Sequence, residues 1–81
     1  MKRDDVLALV VKKVKETVPE LRTAEIDPEK SYKDLGIKSL DLVDIATATM
    51  REVKVKIPPA QLSKVNNING MVDLLLKAAG N

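Results

Sequence analysis

Between Asp4 and Val18 the apolar residues fall at Leu7, Val10, Val11, Val14 and Val18, with Lys12, Lys13 and Lys15 between them. Intervals of three and four put them on one face of an amphipathic helix, and Asp4 and Asp5 stand where the positive end of the helix dipole favours acids. Pro19 is expected to end that helix. From 19 to 38 no period is sustained, and Pro19, Pro28 and Gly36 punctuate the stretch. That predicts a long ordered loop whose Leu21, Ile26, Tyr32 and Leu35 plug onto the core. A helical period returns from Ser39 to Val53 with two apolar stripes. Leu42, Ile45, Ala46, Thr49 and Val53 suit a core face, while Leu40, Val43, Thr47 and Met50 form a second, partly exposed one. Lys54-Val55-Lys56-Ile57 alternates like a strand, but with no second strand to pair with it reads as a connection. Pro58-Pro59 then opens a short helix from Ala60 to about Val65. Asn66 and Asn67 are good caps for a last helix whose apolar face is Ile68, Met71, Val72, Leu75, Leu76 and Ala79, closed by Gly80.

The pattern therefore predicts an all-α fold: a four-helix bundle with a long loop between helices 1 and 2 and a short third helix. With 81 residues, 1–81 is expected to be a single domain. A chain of this size buries only about 60–65% of its unfolded surface, so a large enclosed active site is not expected. Its composition narrows the chemistry further. Cysteine and histidine are both absent, which excludes a disulfide framework and thiolate metal sites and removes the commonest general base. No catalytic residue, no metal site and no enzymatic activity are expected. No apolar run approaches the roughly 20 residues of a membrane span, and Met1-Lys2-Arg3-Asp4-Asp5 does not read as a secretory signal, so the expected location is cytoplasmic. Tyr32 is the only aromatic residue, too few for a nucleic-acid surface built on stacking. Starting at Met1 and ending just past a helix cap, the chain is expected to be free-standing.

The segment Asp34-Leu35-Gly36-Ile37-Lys38-Ser39-Leu40-Asp41-Leu42-Val43-Asp44-Ile45 sets a serine at the opening of the second long helix. By position alone Ser39 is an N-cap, accepting a backbone hydrogen bond. A serine there is exposed, near N–H donors and the positive end of the dipole, a setting that tolerates a phosphodiester. No histidine can activate it and no Gly-x-Ser-x-Gly elbow surrounds it, so a hydrolase reading has little behind it. The segment resembles the signature of the acyl carrier proteins, in which a Leu-Gly turn leads into Asp-Ser-Leu and the serine is esterified with 4′-phosphopantetheine. Lys38 stands where that family usually has Asp. The likeness continues through Asp41, Asp44, the Ile57-Pro58 step, the short third segment and the last apolar helix, roughly the C-terminal two-thirds of the chain.

The resemblance implies that Ser39 is the attachment site for phosphopantetheine, loaded from coenzyme A by a separate phosphopantetheinyl transferase. The arm's thiol would then hold acyl groups as thioesters for fatty-acid or polyketide-type biosynthesis. It also implies a monomer whose partners are the acyl-transferring, condensing and modifying enzymes of a synthase. The docking residues would be Lys38, Leu40, Asp41, Val43, Asp44, Thr47, Met50 and Arg51. Asp41 and Asp44, three apart on one face, could equally serve only to complement the helix dipole. A carried acyl chain is expected to fold back between the second helix and the loop or last helix, where Ala46, Ala48 and Thr49 leave room.

Charge sets this chain apart from that family's common pattern. Fourteen bases against 12 acids give +2 and a pI near 9.0, whereas housekeeping acyl carriers are strongly acidic. From Ser39 to Lys56, three acids (Asp41, Asp44, Glu52) are balanced by Arg51, Lys54 and Lys56. This points to a dedicated synthase in a specialised pathway. A peptidyl carrier is the alternative within the class, although Ile37 occupies the place of the second glycine usual there. From another class, an unmodified small helical module binding nucleic acid or an acidic partner would explain the pI. Its bases, at Lys12, Lys13, Lys15, Lys33, Lys54, Lys56 and Lys64, are scattered rather than gathered on one reading helix.

Overall fold

Helix α1 (Arg3–Thr17) carries Asp4 and Asp5 in its first turn and is closed at Val18, whose N–H donates to the Val14 carbonyl at 2.9 Å. Pro19, lacking an N–H to continue the ladder, turns the chain into one 3₁₀ turn, Pro19–Leu21. The computed structural model describes residues 2–80. The buried line of α1 is Val6, Val10, Val14 and the closing Val18, with Leu7 and Val11 half-buried beside it. Its centre thus lies one position from the stripe that Leu7 and Val11 suggest. The reason is that α1 packs on both α3 (Ser39–Val53) and α5 (Ile68–Ala78), so the midline of its apolar face, not either edge, is sealed.

The loop before Ser39 holds an element the periodicity did not reveal, the short helix α2 (Tyr32–Leu35). Ser31 caps it, its Oγ accepting from the Asp34 N–H at 3.1 Å, and Gly36 ends it at φ +80°, a left-handed conformation that a side chain would strain. Ser31-Tyr32-Lys33-Asp34 is a capping-box pattern, so a local signal was present, but four residues are too few to show a period. Backbone pairing stitches this loop to the start of α5. The Tyr32 N–H donates to the Asn66 carbonyl at 2.8 Å, the Asn69 N–H to the Pro28 carbonyl at 3.0 Å, and Ser31 and Asn67 form an antiparallel bridge. Tyr32 and Ile37 are buried, and Leu21, Ile26 and Leu35 pack partly against the same core, as plugs of this loop should.

Helix α3 buries Ile45, Ala46 and Thr49, and the Thr49 hydroxyl is satisfied by donating to the Ile45 carbonyl at 2.8 Å. The 54–58 segment is a connection without strand pairing; within it, Ile57 is buried and its N–H donates to the Met50 thioether at 3.1 Å. Helix α4 (Pro59–Leu62) is shorter than expected, the chain from Ser63 to Val65 being a turn. Asn67 caps α5, its Oδ1 accepting from the Gly70 N–H at 2.7 Å. A Cβ on Gly70 would meet the Val65 Cβ at 2.9 Å, so this glycine allows the α4 turn to close over α5. Ile68, Met71, Val72 and Leu75 complete the core, with Leu76 and Ala79 half-buried. The described residues are all-helical, with no strand element; the expected four-helix bundle acquires α2 as a fifth α-helix. None of their helices is long and apolar enough to cross a membrane.

Candidate functional site

The chain enters α3 through three residues with separate tasks. Gly36 makes the left-handed turn, Ile37 is buried at 5% exposure and anchors that turn, and Lys38 is extended at φ −82°, ψ 161°. The Lys38 carbonyl accepts the first helical bond, from the Leu42 N–H at 2.9 Å. Lys38 is therefore the N-cap and Ser39 the first helical residue, which corrects the expectation that Ser39 caps the helix. The anchoring of Ile37 decides where extended backbone gives way to helix, and it leaves the serine one position inside.

That shift changes what the hydroxyl can do. Ser39 is exposed, and among the described residues its Oγ has no hydrogen-bond partner and caps nothing. The N–H groups of Ser39, Leu40 and Asp41 likewise have no protein acceptor among the described residues, as befits a helix start, and they give this end of α3 a partial positive charge. Lys38 and Lys33 add full charges on the same side: both line, with Ser39, Tyr32 and Ile37, a cleft of about 630 Å³. A monoanion esterified to Ser39 would meet donors and cations in that cleft, whose lining does not include Asp41, the single acid of the first turn.

On its other flank Ser39 stands at the rim of a second groove, about 410 Å³, walled by Leu42, Val43 and Met50 of α3 and by Ile57 and Leu62 from the α4 side. It is not the place expected for an acyl chain. Ala46 and Thr49 are 1% and 0% exposed and pack into the core, while Ala48 is half-buried. The open apolar space lies across α3, against α4. Ile57, Pro59 and Leu62 were not among the residues anticipated for the site; the sequence marks the Ile57-Pro58 step and a helix start at Pro58-Pro59, but not their seating beside Ser39, which is a tertiary matter.

The anticipated docking residues fall in three places. Lys38, Leu40, Asp41, Val43 and Asp44 surround Ser39; Leu40 is 81% and Val43 59% exposed, uncommon for such side chains. Thr47 and Met50 instead line the α4 groove, and Met50 is held there by its bond from the Ile57 N–H. Arg51 stands twelve residues along α3 from Ser39, about 18 Å at the helical rise.

The chain is similar to known proteins in sequence and in fold. A family model described as "Phosphopantetheine attachment site" matches residues 6–75. The polyketide biosynthesis acyl-carrier-protein AcpK of Bacillus subtilis (strain 168) is 29% identical over 75 residues, covering 93% of this chain and 92% of the relative. A meromycolate extension acyl carrier protein of Mycobacterium leprae (strain TN) is 33% identical over 76 residues, covering 93% of this chain and 65% of the relative. Among solved structures, a chain from the crystal structure of the curacin biosynthetic pathway HMG synthase in complex with acetyl donor-ACP superposes with a TM-score of 0.83. It is 33% identical and covers 98% of this chain and 99% of that one.

Proposed function

The chain belongs to the acyl carrier protein family, a carrier of phosphopantetheine rather than a catalyst, and from that premise we propose that Ser39 is the residue that bears the arm. The observation that carries this reading is the unbonded, exposed Ser39 hydroxyl on the first turn of α3, inside the matched residues. The surroundings fit a phosphodiester: Lys33 and Lys38 are cations in the adjoining cleft, and the first N–H groups of α3 point their dipoles the same way. When attached, the arm supplies a terminal thiol that holds acyl groups as thioesters, the nucleophile this cysteine-free chain lacks.

The residues of the chain do the positioning. Gly36 and Ile37 fix the turn that leaves the Ser39 hydroxyl clear of the body. With no histidine in the sequence, the base that removes its proton must come from a separate phosphopantetheinyl transferase. Leu40 and Val43 offer that enzyme an apolar landing beside the hydroxyl, and Asp41 and Asp44 offer charges for its cations. Lys38, at the position where acidic residues are usual, selects transferases able to accept a cation there. The α4 groove, opening beside Ser39 and lined by Leu42, Met50, Ile57 and Leu62, suits an alkyl chain.

We further infer that 1–81 acts as one carrier domain, monomeric and cytoplasmic, serving the condensing and modifying enzymes of a specialised polyketide or fatty-acyl synthase. AcpK, the meromycolate carrier and the donor carrier of the curacin pathway support that direction. The test is incubation with coenzyme A and a promiscuous phosphopantetheinyl transferase, followed by intact mass, with Ser39→Ala as control. The expected result is a gain of one phosphopantetheine that the control lacks; no gain with several transferases would refute the reading.

A further inference from the structure

The far end of α3 carries a second charged surface, a basic one. Arg51, Lys54 and Lys56 are all exposed, and they ring a hollow of about 390 Å³ with Thr47, Met50 and Val55. The acid that could neutralise them, Glu52, is engaged elsewhere: its carboxylate meets the Lys13 ammonium of α1 at 2.8 Å. The remaining acids of α3, Asp41 and Asp44, lie two turns or more away, beside Ser39. A stretch that is neutral by formula is therefore strongly polarised in space.

A helix C-terminus favours cations, which accounts for Arg51 and in part Lys54. It does not account for Lys56, two residues beyond the cap. Nor does it account for the residue type at Lys54, which closes α3 at φ +59°, ψ 40° in the left-handed region where glycine is the unstrained choice. The chain holds a lysine there despite its Cβ. The hollow is also not a bare charge cluster, because Met50 and Val55 give it an apolar floor of a size to take a side chain.

We propose that this end of α3 is a docking surface for an acidic segment of a partner protein, one that places a carboxylate-bearing face on Arg51, Lys54 and Lys56 and an apolar side chain in the hollow. Together with Asp41 and Asp44 it makes α3 a two-signed strip, matched by an enzyme with basic groups near the serine and acidic groups about 18 Å along. That arrangement excludes partners whose docking surface is basic throughout, since Arg51, Lys54 and Lys56 would repel them. The inference rests on the carrier reading only for the idea that the same enzyme meets both ends.

The test uses ¹⁵N-labelled protein already carrying the arm, its mass checked first, so that failure of the carrier reading is seen in the mass and failure of this inference in binding. The probe is a helical peptide with one glutamate face and one leucine face, titrated at low salt and followed by amide shifts. Saturable shifts at Thr47, Arg51, Lys54, Val55 and Lys56 are expected, together with about tenfold or greater weakening in Arg51→Gln/Lys54→Gly/Lys56→Gln. Glycine at 54 suits the left-handed backbone, and unchanged circular dichroism would show that the variant is folded. Replacing the peptide's leucines by serine should also weaken binding. Shifts instead at Lys12, Lys15 and Arg22, which line a hollow on α1 and the turn that follows it, no saturable binding, equal binding of the variant, or equal binding of the leucine-free peptide would each overturn the proposal. So would tighter binding to anionic vesicles or to a DNA duplex than to the peptide.

Discussion

The Lys13 ammonium on α1 lies 2.8 Å from the Glu52 carboxylate on α3, and 3.6 Å from Glu16 on its own helix. The hydrogen bond and charge of Lys13 hold the Glu52 carboxyl below its usual range, and Glu52 in turn raises Lys13. A carboxyl whose pKa is depressed on folding stabilises the fold above its unfolded value and loses that contribution as pH falls through the folded one. For Lys13 the sign is reversed: its contribution is complete below the unfolded value and is lost as pH rises through the raised one. Glu52→Gln should therefore reduce the loss of stability as pH falls through and below the usual carboxylate range, as measured by urea unfolding at each pH. High salt should shrink the difference between the two proteins, because both groups touch solvent.

Because Ser39 is the first helical residue and caps nothing, its replacement should be structurally mild. Ser39→Ala is expected to change unfolding free energy by about 0.5 kcal/mol or less, well below the roughly 1 kcal/mol of a lost cap. It should abolish loading by a phosphopantetheinyl transferase. Urea unfolding and intact mass on the same preparation check both halves.

Asp41→Lys places a cation at the positive end of α3 and beside the hydroxyl. A stability loss of about 1 kcal/mol or less is expected from the dipole, with a much larger fall in the rate of transferase modification. Proportional losses in stability and rate would mean that Asp41 serves the helix alone.

Asn67 joins the site's loop to the last helix. Its Oδ1 accepts from the Gly70 N–H at 2.7 Å and its amide donates to the Glu29 carbonyl at 3.3 Å. Asn67→Ala should cost about 1–2 kcal/mol, whereas Asn67→Asp should restore the cap but not the tether to Glu29. Amide exchange in the 28–38 segment is expected to rise in both variants, and global stability to fall chiefly in the alanine one.

The Tyr32 hydroxyl is buried without a hydrogen-bond partner among the described residues, and burial pushes its pKa well above the usual tyrosine value. Removing an unsatisfied buried group spares its desolvation, so Tyr32→Phe should leave stability unchanged or raise it by about 1 kcal/mol. Below the unfolded tyrosine value both states are neutral and ionisation contributes nothing; as pH rises past that value the unfolded state ionises first, and stability is lost. The variant should accordingly lose less stability than the parent as pH rises above about 10.

Periodicity alone determined the long helices α1, α3 and α5, since intervals of three and four encode which residues share a face. The Leu35-Gly36 and Ser39-Leu40 pattern, with Asp41 and Asp44 behind it, was enough to mark Ser39 as the candidate. What periodicity cannot encode is which neighbour covers a face, and there the tertiary structure decided. It committed Ala46 and Thr49 to the core, and opened the apolar groove against α4 instead. It set the N-cap at Lys38 rather than Ser39, because burial of Ile37 fixes where the backbone turns, and thereby left the hydroxyl free. It also drew Glu52 to Lys13, leaving Arg51, Lys54 and Lys56 without that acid at the far end of α3. Each of these outcomes depends on contacts between residues distant in the chain, whose energies no local pattern records.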